Sequence, residues 1–436
     1  MENQIQKALS NLKIASLNEM QFASIETNKG KEDCILLSPT GSGKTLAFLL
    51  PILELLDPNS DDIQVLIVTP TRELAIQIEE VFRSLGTSFK VNSTYGGHSI
   101  KVEENNFTQA PAVLVGTPGR ICDHNNRGNL DLTQVKTLVL DEFDKSLEMG
   151  FQEEMAYIVG ELKNLQKRML ISATEMKEIP EFTGVIDPIK LNFLTEQSEG
   201  LTLKMVISED KDKMQALFDL ICQNSNESTI IFCNHRDAVE RISEFLTEMG
   251  VINTFFHGGL DQQERERTMI KFRNGSSNYL VTTDLAARGL DIPEIKYIIH
   301  YHFPPKEDGF IHRNGRTARM SATGTSYLLV SRGEDLPDYI RDKPEIEKLK
   351  DDNAMPKKPE WVTLYLSGGK KDKINKIDIV GFLSKKGSLE KFDLGLIIVQ
   401  DFSSYAAVKR NKIGKLLQDI QNEKVKGKKL KIEIAQ

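Results

Sequence analysis

Residues 33–56, DCILLSPTGSGKTLAFLLPILELL, constrain the fold more than any other stretch of the chain. A short apolar run leads straight into a glycine-rich loop, and the loop leads into an apolar segment of helical length. That strand–loop–helix order is the context a P-loop needs. Gly41 and Gly43 let the backbone curl, so that its N–H groups and the helix N-terminus face phosphate oxygens. Lys44 brings a point charge to β- and γ-phosphates, and the Thr45 hydroxyl is a ligand for Mg²⁺. Ser38, Pro39, Thr40, Gly41, Ser42, Gly43, Lys44 and Thr45 therefore form a candidate ATP-binding loop.

A P-loop needs an acidic group at the end of another buried strand. KTLVLDEFD supplies it about 100 residues downstream, where Asp141 is placed to hold the Mg²⁺ shell and Glu142 to orient and deprotonate a water. An Asp-Glu pair alone is commonly a strand end meeting solvent; the P-loop upstream gives this one its meaning.

The same theme repeats along the chain. DCILLS, IQVLIVTP, AVLVGTP, KTLVLDE and RMLISAT alternate with amphipathic stretches, which predicts βαβ units and a parallel sheet covered on both faces. The pattern lapses in the polar LNFLTEQSEGLTLK, read as a linker, and resumes with STIIFCN, NTFFHGG, NYLVTTD, IKYIIHYHF and TSYLLV. Two α/β domains are expected, over residues 1–195 and 196–350. The charged, proline-bearing DDNAMPKKPEW marks a second linker, over 351–359. Residues 360–436 then read as βαββαβ, the split-βαβ order of RNA-recognition domains among others.

Charge divides the chain at the same place. The whole has a formal net charge of −7, yet the segment from Lys357 carries +9 and the chain before it −16. A basic tail on an acidic body suits a polyanion. The start of the chain has no basic-then-apolar leader, and no apolar run is long enough to span a bilayer. Cys34, Cys122, Cys222 and Cys233 are scattered, which argues against a zinc site or disulfide framework. The expectation is a cytoplasmic protein with no membrane and no obligate protein partner.

The motifs that follow the P-loop resemble those of the DEAD-box RNA helicases, in order. They are SPTGSGKT (Ser38 to Thr45), PTRELA (Pro70 to Ala75), Gly96-Gly97, TPGR (Thr117 to Arg120), DEFD (Asp141 to Asp144) and SAT (Ser172 to Thr174). IIFCN (Ile230 to Asn234), QQER ending at Arg265, TDLAARGLD (Thr283 to Asp291) and HRNGRTAR (His312 to Arg319) continue the series. The resemblance implies two tandem RecA-like P-loop domains and an enzyme that separates RNA strands locally at the expense of ATP. It implies that Arg316 and Arg319 act as arginine fingers on the γ-phosphate, that Asp291 touches the ribose or the fingers, and that Gln21 reads the adenine edge. Arg72, Gly97, Thr117, Arg120, Arg265 and Thr283 are implied RNA contacts, made to phosphates and 2′-hydroxyls without base readout. Ser172 and Thr174 are implied to relay between the ATP and RNA faces. A translocase on the same two domains, or an ATP-dependent RNA clamp or annealing factor, are the alternative readings.

Several positions depart from the family pattern. Phe143 stands where the DEAD box has Ala, Ser38 where motif I has Ala, and Asn314 and Ala318 where Ile and Gly are usual. No aromatic precedes Gln21 at the usual spacing. In the tail, LYLSGGKKDKI, IDIVGFL and VKGKK resemble the C-terminal domain of the bacterial DbpA/YxiN subgroup. That resemblance implies 23S rRNA in pre-50S particles as the partner. Lys370 and Lys371 are the candidate phosphate contacts of this RRM-like domain; Tyr365 and Tyr405 either stack bases or are half-buried strand residues.

Overall fold

The computed structural model describes residues 2–97, 100–176, 178–194, 200–284, 295–317, 323–341, 343–350 and 354–435. They fall into two units, one up to residue 194 and one from Gly200 onward.

The first unit is a seven-stranded parallel sheet in the order β3-β4-β2-β5-β6-β1-β7. Its strands are β1 (Cys34–Leu37), β2 (Val65–Val68), β3 (Val91–Thr94), β4 (Val113–Gly116), β5 (Thr137–Leu140), β6 (Lys167–Ser172) and β7 (Ile189–Asn192). β1, β2, β4 and β5 are buried along their whole length, as apolar runs bounded by turn residues should be when helices cover both faces. One face packs on Ala47, Phe48, Leu50 and Ile78, the other on Ile121, Phe143, Met155 and Ile158. The loops that follow β1, β2, β4, β5 and β6 carry the motifs, so they share the carboxyl edge of the sheet, where open α/β sheets take their ligands.

The second unit repeats the plan with β8 (Leu201–Ser208), β9 (Thr229–Cys233), β10 (Asn253–Phe256), β11 (Tyr279–Thr283), β12 (Tyr297–His300), β13 (Gly324–Ser331) and β14 (Glu345–Ile346), in the order β10-β11-β9-β12-β13-β8-β14. Its strand pairings among the described residues are all parallel. The stretch LNFLTEQSEGLTLK is not a linker throughout. Its first residues end β7 and its last begin β8, two strands whose polar, partly exposed faces disguise them.

The basic tail forms an antiparallel sheet, β16 (Leu394–Val399), β17 (Ser404–Lys409), β15 (Trp361–Leu366) and β18 (Ile432–Ile434) in that spatial order, with helices Lys376–Lys385 and Ile413–Ile420 on one face. Leu364, Ile379, Leu383, Ala406 and Leu416 make its core. The other face of this sheet packs on the helicase part of the same unit. Ile270, at the end of helix Gln262–Arg273, clusters with Tyr405, Ala435, Tyr365 and Ile398. Beside it, the buried Thr363 hydroxyl is bonded to Asn274 Nδ2 (3.2 Å) and Ser276 Oγ (2.6 Å), and Gln400 Nε2 donates to Glu266 Oε2 (2.7 Å).

Candidate active site and RNA interface

The P-loop adopts the shape its glycines permit. Gly41 (φ 84°) and Gly43 (φ 91°) lie in the left-handed region, and Gly43 caps helix Lys44–Leu55. A side chain at Gly43 would also strike Gln21 Nε2, 2.6 Å from the ideal Cβ position. Gln21 closes a capping box with Asn18, accepting from Asn18 N (3.1 Å) while its own N–H donates to Asn18 Oδ1 (2.8 Å). Its Nε2 donates to Gly43 O (3.3 Å), and Asn18 Nδ2 donates to Ser42 O (2.9 Å). The candidate adenine reader thus rests against the phosphate loop, with a second amide hydrogen and a second lone pair still to place. Ser38 has a local use: its hydroxyl donates to Ser42 Oγ (2.7 Å) across the loop, and its N–H donates to Ser172 O (3.1 Å). Lys44 Nζ donates to Ser38 O (2.7 Å) and Pro39 O (3.1 Å).

At the end of β5, Asp141 is fully buried, and its carboxyl is pushed up to about 7. Burial is the main cause and the neighbouring Glu142 carboxylate the second; the Lys44 charge and the Glu142 N–H pull the other way. Glu142 takes a left-handed backbone (φ 46°) at the start of helix Phe143–Glu148, a conformation costly for a non-glycine residue. Its Oε2 is buried without a hydrogen-bond partner among the described residues. A buried carboxyl with little counter-charge beside a strained, unsatisfied carboxylate is what a divalent cation and a bound water would complete. The residues fit Mg²⁺, which takes one or two protein oxygens and completes its shell with phosphates and water. Next in line, Asp144 Oδ2 accepts from Thr174 Oγ1 (2.6 Å), and Ser172 Oγ donates to Thr174 O (2.6 Å). The DEFD and SAT segments are therefore physically joined. Phe143 turns away from the site, fully buried against Phe182 (6.3 Å between centroids), so the bulk that replaces the family Ala is core material.

The candidate RNA residues of the first unit converge on the loop after β3. Thr71 caps helix Arg72–Ser84, and the Arg72 guanidinium lies so close to Gly97 (φ 101°) that a Cβ there would meet Nη1 at 2.4 Å. Thr117 stands at the start of helix Pro118–Asn126, its N–H donating to Thr94 O (3.1 Å). Arg120 is not an open cation: Nε donates to Tyr95 O (3.2 Å) and pairs with Glu103 (3.2 Å) and Asp123 (3.4 Å). Glu103 is the hub of this region and was invisible to motif reading. It also accepts from Tyr95 N (3.1 Å) and Thr94 Oγ1 (3.2 Å) and bonds His124 Nε2 (2.7 Å). No spacing in the sequence singles out a glutamate in a short amphipathic helix.

In the second unit Arg265 braces its own loop, donating to Leu260 O (3.1 Å) and Gly258 O (2.9 Å). Thr283 closes β11 and is buried, as is Arg316. Arg319 and Asp291 lie outside the described residues, as does Ala318. Arg313 is heavily bonded. It holds Asp284 bidentately (2.5 and 2.8 Å), Asn234 Oδ1 (2.9 Å) and His302 O (2.5 Å), and sits 5.0 Å from the Phe232 ring centre. His300 is fully buried beside it, its pKa lowered to about 3 by burial first and the Arg313 charge second. It is neutral, with Nδ1 facing Arg313 and Nε2 facing Asn314 Oδ1 and Ser326 Oγ (3.1 Å each). Asn314 is thus a hydrogen-bonding replacement for the family's Ile.

Residues 18–182 match the DEAD/DEAH box helicase model, 212–321 the helicase conserved C-terminal domain and 363–434 the DbpA RNA binding domain. The chain belongs to the DEAD-box family of ATP-dependent RNA helicases. Within that family it is of the DbpA type. It is 32% identical to the ATP-dependent RNA helicase DbpA of Bacillus subtilis over 100% of this chain and 98% of that one. To the Escherichia coli DbpA it is 29% identical, over 98% and 96%. Among solved structures, S. cerevisiae Dbp5 bound to RNA and ADP BeF3 is similar with a TM-score of 0.69 and 28% identity, covering 76% of this chain and 88% of that one. Mss116p bound to ssRNA and AMP-PNP gives 0.71 and 26%, covering 80% and 78%. No helix among the described residues is long and apolar enough to cross a membrane.

Proposed function

We propose that this helicase remodels short duplexes of 23S rRNA during assembly of the large ribosomal subunit, with residues 360–436 selecting the site. The supporting observation is a DbpA RNA-binding domain on the +9 segment of a chain whose remainder carries −16. The acidic body is a poor long-range attractor for RNA, so the tail sets the encounter.

In the first unit, the amides of the Gly41–Thr45 loop and Lys44 hold the triphosphate, and Gln21 reads the adenine edge. Thr45 and Asp141 would hold Mg²⁺, partly through water; when bound, the ion would offset the negative charge of the phosphates. Glu142 Oε2 takes the proton of the attacking water, a role that suits a buried oxygen without another partner. Arg316 and Arg319 stabilise charge on the γ-phosphate, and Asp291 supports the ribose or the fingers. Arg72, Gly97, Thr117, Arg265 and Thr283 follow the backbone of one RNA strand, with Arg120 acting through the loop it braces. ATP and RNA then favour each other's binding, because both stabilise one state of the enzyme.

The test is ATPase activity titrated with 23S rRNA and with an unrelated RNA of equal length. Full-length protein should half-saturate at about tenfold lower 23S concentration, a bias worth roughly 1.4 kcal/mol. A chain ending at Pro359 should reach the same maximal rate with no preference. Equal half-saturation by the two RNAs in the full-length protein overturns the rRNA assignment.

A further inference from the structure

The sheet face of the C-terminal domain is not its stacking platform. Tyr405 is only 6% exposed, because Ile270 and Ala435 close over it, and Tyr365 stands beside it at 5.6 Å between ring centres. The domain does present one large aromatic among free cations, at the tip of the β16–β17 hairpin. Phe402 is 72% exposed there, in a turn closed by Gln400 N to Ser403 O (2.8 Å) and Ser403 Oγ to Gln400 Oε1 (2.8 Å).

This tip is locked to the lysine loop that follows β15. Lys370 N donates to Gln400 O (2.8 Å) and Lys371 N to Asp401 O (2.9 Å). Gly369 makes the approach feasible, since a Cβ there would lie 2.2 Å from Gln400 O and 2.6 Å from Asp401 O. The charges on this rim are sorted. Asp372 is taken by Lys428 (3.0 Å) and Asp378 by Lys426 (3.0 Å), whereas the ammonium groups of Lys370, Lys371 and Lys373 make no ion pair among the described residues. The carboxylate of Asp401 at the tip leaves this lysine cluster net positive.

We propose that Phe402 is the base-stacking residue of the C-terminal domain: it takes one unpaired nucleobase of RNA on its ring, while Lys370, Lys371 and Lys373 hold the adjoining phosphates. An exposed ring can stack only a base freed from a helix, so the ligand is a single-stranded element at the edge of a duplex. The lysines add affinity without sequence. Gln400 ties the same hairpin to Glu266, next to Arg265, so a strand caught at Phe402 leaves toward the helicase unit. The proposal rests on the RNA-targeting role given to this domain above and names the site within it.

The experiment uses the full-length protein and two fluorescein-labelled RNAs, a blunt hairpin and the same hairpin with a 3′ extension carrying one 2-aminopurine. Phe402→Ala should raise the Kd for the extended hairpin about 5- to 100-fold, as loss of one stacked base does, with little change for the blunt one. The quenching of 2-aminopurine on binding should vanish, and Phe402→Trp should restore both readouts. Lys370→Ala combined with Lys371→Ala should weaken both RNAs and flatten the salt dependence by about two phosphates. Phe392→Ala removes an equally exposed phenylalanine (67%) from the other end of β16 and should change neither readout. If Phe402→Ala binds and quenches as the parent does while the double lysine variant is weakened, the stacking proposal falls and the domain's RNA role stands. If ending the chain at Pro359 changes the affinity for neither hairpin, both fall.

Discussion

The strand ends of the two helicase units make opposite use of buried charge. At the end of β5, Asp141 is buried with little counter-charge, and Glu142 keeps a strained backbone and an unpartnered oxygen. In the second unit, Arg313 is equally deep but saturated by Asp284, Asn234 and a backbone carbonyl. One site has an unpartnered buried oxygen among the described residues, as the proposed ligand site requires; in the other the charge is fully bonded. An unsatisfied buried carboxylate costs stability that only ligand binding returns, whereas a buried ion pair that is fully bonded mainly penalises losing one partner.

Three measurements would break or sharpen that contrast. The largest effect belongs to Glu142→Gln, which should lower RNA-stimulated kcat about 10²- to 10⁴-fold, the usual range for a lost general base. Its melting temperature should stay level or rise, because a repelling charge leaves the neighbourhood of Asp141. A Glu142→Gln enzyme that turns over normally would return the site to an ordinary strand end. Next, Arg313→Met should destabilise the second unit by about 1–3 kcal/mol in urea denaturation, since it takes the hydrogen-bond partner from the half-buried Asp284 carboxylate, from Asn234 and from the His302 carbonyl. A loss below about 1 kcal/mol would mean that the network is not a brace. The smallest effect is a pH dependence. His300 is neutral in the fold, with its pKa lowered to about 3, and titrates near its ordinary 6.5 when unfolded. The unfolded chain binds the extra proton first as pH falls, so stability present above about pH 6.5 is lost toward pH 3. Between pH 6.5 and 5 this amounts to roughly 2 kcal/mol. His300→Gln should show a shallower fall over that interval, and an identical slope in both proteins would refute the assignment.

The strands that carry the chemistry were legible because they are buried along their whole length. DCILLS, KTLVLDE and STIIFCN are apolar along their length, since helices cover both their faces. The strands that are hard to read are polar or partly exposed. VNST is the polar edge strand β3, the residues of β7 are mostly exposed, and β8 is apolar only over its second half. Edge strands bury less, so burial writes less of itself into their sequence.

The site divides along the same line. Lys44, Asp141 and Glu142 are nominated by local pattern, because a loop that wraps phosphate needs glycines at set positions and an acid at a strand end needs only that strand, whereas Gln21 is nominated by the family resemblance alone. Arg120 also stood out from its motif, but its environment did not. Its partner Glu103 comes from a different helix, and only the folded chain brings them within 3.2 Å. Asn314 reads as a defect in HRNGRTAR until His300 and Ser326, from two neighbouring strands, are seen to surround it.

Periodicity and residues close in the chain make the two parallel-sheet units and the βαββαβ tail readable, and they nominate the groups proposed to hold the nucleotide. Only the tertiary structure decided which polar groups are spent and which are free. It covered Tyr405 with Ile270, tied Arg120 inward and left Phe402 bare beside unpaired lysines. Whether a group is free depends on what residues remote in sequence pack against it, and no local pattern encodes that.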